Sequence, residues 1–262
     1  MEKEFFTPEP MIFAHRGDPI NYPENTIPSF KSASESGVDV IETDLRITSD
    51  GHFVLFHDTT IDRMTNGRGK LSDYTLDDLK RFDAGYRFSS DGVSYPFRNK
   101  GITIPDLEEC LLEFPEQRFN IDLKVKNPSQ VKKYCEILKK HDSVKRVLTA
   151  SEHTENLKEA RKILPEMATS ASRREVIGAY FLFKSKLLSM KSSFAADAFQ
   201  IPEFFGTSRI VTREIIRALH RRNVRVHVWT VNRREDILRL LDYGVDGIIT
   251  DDFRLLKEII VS

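Results

Sequence analysis

Along the chain, short apolar runs alternate with segments whose apolar residues recur every three or four positions. This alternation predicts βαβ units on a parallel sheet. The runs MIFAHRG, VDVIETDLRIT, FNIDLK, RVLTAS, EMATSA, DAFQIP, VRVHVWTV and DGIITD read as eight strands. Between them Leu157, Ala160 and Leu164, then Ile215, Ile216 and Leu219, then Ile237, Leu240 and Leu241 mark helices with one apolar face. Ser129, Thr212 and Asn232 stand where N-caps belong. Eight strands with crossover helices in 262 residues predict an α/β fold, a (β/α)8 TIM barrel, as a single domain over residues 1–262. No GxGxxG follows the first strand, so a dinucleotide fold has little support.

One stretch departs from that alternation. After the second strand, SDG supplies a tight turn and HFVLFHD runs back as an apolar strand, which predicts a β-hairpin extension of the wall. Residues 59–106 are then polar and turn-rich, and so long a connection in a compact barrel is usually functional. They predict an insertion over the mouth, with Phe88, Tyr95 and Phe97 as its aromatic wall.

The second strand carries IETD within an otherwise apolar run. Side chains alternate along a strand, so Glu42 and Asp44 face the same side. Two carboxylates there repel and lose hydration unless a cation or a proton lies between them. Counting the ends of the other strands, where barrel enzymes keep their chemistry, adds His15 and Arg16, then Asp122 and Lys124, then Trp229, with His57 closing the hairpin. Three acids beside two imidazoles suit a hard divalent cation, Mg2+ or Ca2+, better than zinc. Arg16 and Lys124 would make a pocket for phosphate. A lone histidine at a strand end is usually structural, but the combination is hard to explain as packing. Trp229 reads equally as core or as a stacking wall, and Asn25 equally as a helix cap or, with Glu24, as a support of the site.

Composition narrows the partners. Lys plus Arg and Asp plus Glu both number 40, so no net charge draws the chain to nucleic acid or to an anionic membrane. Cys110 and Cys135 lie in no CxxC pattern, and the N-terminus lacks the basic start of a signal peptide, which together predict a cytoplasmic protein. No window predicts a membrane span, membrane contact is not expected, and homo-oligomerisation is left open.

The segments HRGDPINYPENTIPSF, IETDLRITSDGHFVLFHDTTIDRMTNGRG, NIDLK, VHVWTVN and YGVDGIITD resemble the glycerophosphodiester phosphodiesterases, in order and from Met11 almost to the C-terminus. The resemblance implies metal-dependent hydrolysis of a small glycerophosphodiester, such as glycerophosphocholine or glycerophosphoethanolamine, to sn-glycerol 3-phosphate and an alcohol. By the same resemblance His15 and His57 would be the acid and base, Glu42, Asp44 and Asp122 the metal ligands, and Arg16 and Lys124 phosphate contacts. The family often has Glu at the third ligand, where this chain has Asp122, one methylene shorter. Two alternatives are a lysophospholipase D-like or lyase activity on lysophospholipids, marked by a greasy path into the mouth, and a non-catalytic phosphate-binding module.

Overall fold

A computed structural model describes residues 3–125, 127–188 and 191–261. The strands are β1 (Met11–His15), β2 (Val40–Ile47), β3 (Phe53–Leu55), β4 (Arg118–Leu123), β5 (Val147–Ala150), β6 (Ala168–Thr169), β7 (Ala198–Pro202), β8 (Phe204–Phe205), β9 (Ser208–Arg209), β10 (Arg225–Trp229) and β11 (Gly247–Thr250). Eight of them pair in parallel in the order β6, β5, β4, β2, β1, β11, β10, β7, and a bridge between Ser170 and Ala198 links the two ends into a nearly closed barrel. The strands expected from the sequence are these eight. Between them run α1 (Ile27–Glu35), α2 (Leu76–Leu79), α3 (Leu107–Glu113), α4 (Ser129–Lys140), α5 (Thr154–Ile163), α6 (Arg173–Lys184), α7 (Arg213–His220) and α8 (Arg234–Tyr243), and α9 (Phe253–Val261) closes the chain.

Alternation along each strand divides the two kinds of side chain. Ile12, Ala14, Ile41, Leu45, Phe119, Ile121 and Leu123 join the large apolar layer that includes helix residues such as Val131, Leu138 and Leu256. Met11, Phe13, Val40, Leu148, Ala168, Ala198 and Ile249 instead form a second cluster that Phe5 and Phe6 join from the N-terminal segment. Both phenylalanines are buried, a contribution of about 1.5–3 kcal/mol each. Gly247 is dictated by this floor, because a Cβ there would lie 2.6 Å from the Phe13 ring and 3.0 Å from His227. Moving up the barrel at the same parity, apolar residues give way to His15, Glu42, Asp44, Asn120 and Asp122.

The hairpin is formed as expected, with Leu45 opposite Leu55 in the antiparallel pair of β2 and β3. The insertion is more than a polar lid. Ile61, Met64, Leu71, Leu79, Ala84, Ile102 and Ile104 pack with Val54 and Phe56 into a core of its own. Those residues are spaced too irregularly to show a period, so the sequence conceals the cluster. Phe97 stands 5.5 Å from Tyr22 and 5.2 Å from Phe88, ring to ring, which ties the insertion to the loop after β1.

Two caps differ from expectation. Ser129 lies inside α4, and Asn127 accepts from its backbone N–H at 3.0 Å in the capping manner. Asn232 caps nothing; its side chain is committed to the site, as described below. Thr212 does cap α7, accepting from the Ile215 N–H. Among the described residues no helix is long and apolar enough to cross a membrane.

Candidate active site

The parallel register sets the acids side by side. His15 pairs with Glu42 between β1 and β2, Glu42 with Asn120 and Asp44 with Asp122 between β2 and β4. His15 Nε2 lies 4.0 Å from Glu42 Oε2, and the Arg16 N–H donates to both the backbone and the side chain of Glu42. Burial first, then the charge of Asp44, pushes the Glu42 carboxyl up to about 7. Burial would also raise Asp44, but Lys124, Arg16 and His57 hold it below the ordinary range. Asp122 is raised by burial in spite of Lys124.

Arg16 reaches two acids. Nη1 donates to Glu24 at 3.0 Å, and Nε lies 3.3 Å from Asp44 Oδ2 in ion-pair rather than hydrogen-bond alignment. The Lys124 ammonium bridges Asp122 and Asp44, 3.2 Å from the latter. Asn25 does not cap α1, whose N-cap is Thr26. At φ 54°, a conformation asparagine tolerates better than most residues, it donates to Asp44 and accepts from Thr43. Glu24 and Asn25 thus both contact residues of this cluster, Glu24 through Arg16 and Asn25 through Asp44. Trp229, at the end of β10, is 44% exposed and so is not core packing.

Each of these two histidines has a carboxylate behind it, for His57 the adjacent Asp58 and for His15 the distant Asp251. His15 Nδ1 lies 2.6 Å from Asp251 Oδ1, and Asn232 donates to Asp251 Oδ2 at 2.6 Å. Asn232 Oδ1 in turn accepts from the Asp251 N–H and the Thr250 hydroxyl. Burial would lower the His15 pKa, but the Asp251 hydrogen bond and the Glu42 and Asp251 charges outweigh it and raise it. His57 Nδ1 lies 2.7 Å from Asp58 Oδ1, and Arg46 donates to the His57 carbonyl. Asp58 also accepts from Arg63, which pairs with Glu24.

Glu42, Asp44 and Asp122 are hard oxygen donors with a surplus of negative charge, which fits a divalent cation in kind. Among the described residues, however, no three His, Cys, Asp or Glu side chains are gathered as a ready metal group. Lys124 holds the Asp44–Asp122 end of the set.

The sequence model of the glycerophosphoryl diester phosphodiesterase family matches residues 15–255. The chain belongs to that family. A glycerophosphodiester phosphodiesterase of Caldanaerobacter subterraneus subsp. tengcongensis is 33% identical over 248 residues, covering 92% of this chain and 94% of that protein. Another, of Bacillus altitudinis, is 35% identical over 247 residues with the same coverage of both. An Oleispira antarctica phosphodiesterase, solved in complex with the product sn-glycerol-3-phosphate, superposes with a TM-score of 0.79 at 25% identity, covering 97% of this chain and 98% of that one. Like its family, the chain is a phosphoric diester hydrolase.

Proposed function

We propose that this enzyme hydrolyses small glycerophosphodiesters, such as glycerophosphocholine and glycerophosphoethanolamine, to sn-glycerol 3-phosphate and an alcohol. The observation that carries the proposal is the pair of imidazoles, His15 beside Glu42 and His57 beyond β3, each with Nδ1 engaged by a carboxylate. An Nδ1–H given to a carboxylate leaves Nε2 for the substrate, so one ring takes the proton of the attacking oxygen while the other supplies a proton to the departing alcohol. Each transfer is worth about 100- to 10,000-fold.

Arg16 and Lys124 would neutralise the phosphodiester monoanion, Arg16 through its planar fork. Trp229 would line the approach. Glu42, Asp44 and Asp122 would hold Mg2+ or Ca2+. When bound, the cation would supply further neutralisation of the phosphate as negative charge develops. The buried free thiols of Cys110 and Cys135 support a reducing, cytoplasmic setting.

One observation favours a second substrate class. Trp229 on β10 is in register with Pro202 at the end of β7, and exposed Phe204 and Phe205 follow after Glu203. Such a flank suits the acyl chain of a lysophospholipid.

The test is release of glycerol 3-phosphate by purified protein, chelated and then resupplied with Mg2+ or Ca2+, beside a His15→Ala variant. Metal-restored release that the variant lacks is expected. Turnover of lysophosphatidylcholine alone would replace the substrate assignment, and silence on all of these diesters would overturn the hydrolase assignment.

A further inference from the structure

We propose that Arg63, a residue of the insertion, is a positioning residue that sets His57 and Arg16 together. Its guanidinium joins two otherwise separate parts of the site. Nε donates to Asp58 Oδ2, whose other oxygen engages His57 Nδ1. Nη1 and Nη2 donate to the two Glu24 oxygens at 3.0 and 2.6 Å, and Glu24 Oε1 also accepts from Arg16. The chain of contacts His57, Asp58, Arg63, Glu24, Arg16 thus runs through one side chain.

The backbone that carries it is fixed. Ile61, Met64 and Thr65 around it are buried, the first two in the core of the insertion. The Arg63 side chain is 47% exposed, so it is not part of that core. Its fork spans two carboxylates at once, which an ammonium cannot do with the same geometry.

Two consequences separate. Without the fork, Asp58 is free to turn and His57 loses the partner that orients its ring, which slows proton transfer. Without the positive charge, Glu24 acts on Arg16 alone and an acidic surplus is left beside the phosphate pocket, which weakens capture of an anionic diester. The first effect appears in kcat and the second in KM.

The inference rests on the proposed hydrolysis, so the experiment includes a readout that needs no turnover. In Arg63→Ala, kcat is expected to fall about three- to tenfold, no more than on losing the Asp58 carboxylate through which Arg63 acts, and KM to rise. Arg63→Lys is expected to recover KM but not kcat. Long-range proton–nitrogen correlation spectra of the imidazoles, assigned with His57→Gln, should show the His57 tautomer disturbed in Arg63→Ala while His15 is unchanged. An inactive parent protein with a disturbed His57 signal would refute the hydrolysis and leave the positioning intact. Kinetics within twofold of the parent, an unchanged His57 signal, or equal losses in the Ala and Lys variants with a matching fall in melting temperature would overturn the positioning role.

Discussion

His15 and His57 both present Nδ1 to a carboxylate, but they rest on different architecture. His15 ends β1, and Asp251 immediately follows β11, the strand hydrogen-bonded beside it. Asn232, from the loop after β10, fixes Asp251 through its side chain and its backbone. Three neighbouring strands therefore define that imidazole, whose side chain is 18% exposed. His57 stands beyond the short β3, at 36% exposure, and its carboxylate partner is the next residue in the chain, steadied by the insertion. A barrel wall gives one histidine a fixed orientation. The other stands in a loop and depends on the insertion packed beside it, the kind of segment that commonly carries binding and catalytic residues.

The largest effect expected is the loss of either ring. His15→Gln and His57→Gln should each lower kcat by about 100- to 10,000-fold, since each removes one of the two proposed proton transfers. Steady-state rates on the parent's best diester check this. If one variant keeps near-parental turnover, that imidazole has a structural role and the comparison between two catalytic halves fails.

A smaller effect sharpens the contrast. Asp251→Ala should lower kcat about 10- to 100-fold, and Asp58→Ala several-fold less. Water can reach the more exposed His57 ring and replace part of the lost hydrogen bond, whereas His15 is enclosed by Glu42 and Asp251. Comparing kcat for the two variants at saturating substrate decides it. Equal losses would mean that the barrel wall confers no advantage in holding its histidine.

The same contrast explains what was legible in the sequence. The eight strands, the hairpin and the side-by-side acids follow from period-two alternation, a local signal. Glu42 with Asp44 and Asp122 with Lys124 each lie two residues apart and need only a strand to share a face. Asp251 is 236 residues from His15, and Arg63 is 39 from Glu24. No local pattern joins such pairs. A signal for Asp251 did exist: it follows the last strand at the inward parity of Gly247 and Ile249, where a barrel places site residues. Asn232 was misread because an asparagine before a helix is ordinarily a cap. Lys124 was expected to face phosphate, and its place between Asp44 and Asp122 depends on a register between β2 and β4 that periodicity does not specify.

A third histidine isolates what the carboxylate does. His227 points into the floor of the barrel, 4.6 Å from Phe13 ring to ring, with only Gln200 near its Nδ1 at 3.4 Å and its Nε2 without a partner among the described residues. His15, also enclosed but held by Asp251, is raised. His227 is pushed down to about 3, first by burial and then by the charge of Arg225. It therefore stays neutral in the folded protein while the unfolded chain takes up a proton below about 6.5. The unfolded state then binds more protons, so stability falls as the pH drops from about 6.5 towards 3 and is unaffected above that window. The slope approaches about 1.4 kcal/mol per pH unit. Between pH 7.5 and 5.5 the parent should lose about 1.4 kcal/mol more than His227→Gln, read from urea midpoints at constant m-value. Equal losses in the two proteins would mean that the floor admits the proton, and that burial alone does not separate His227 from the carboxylate-held His15.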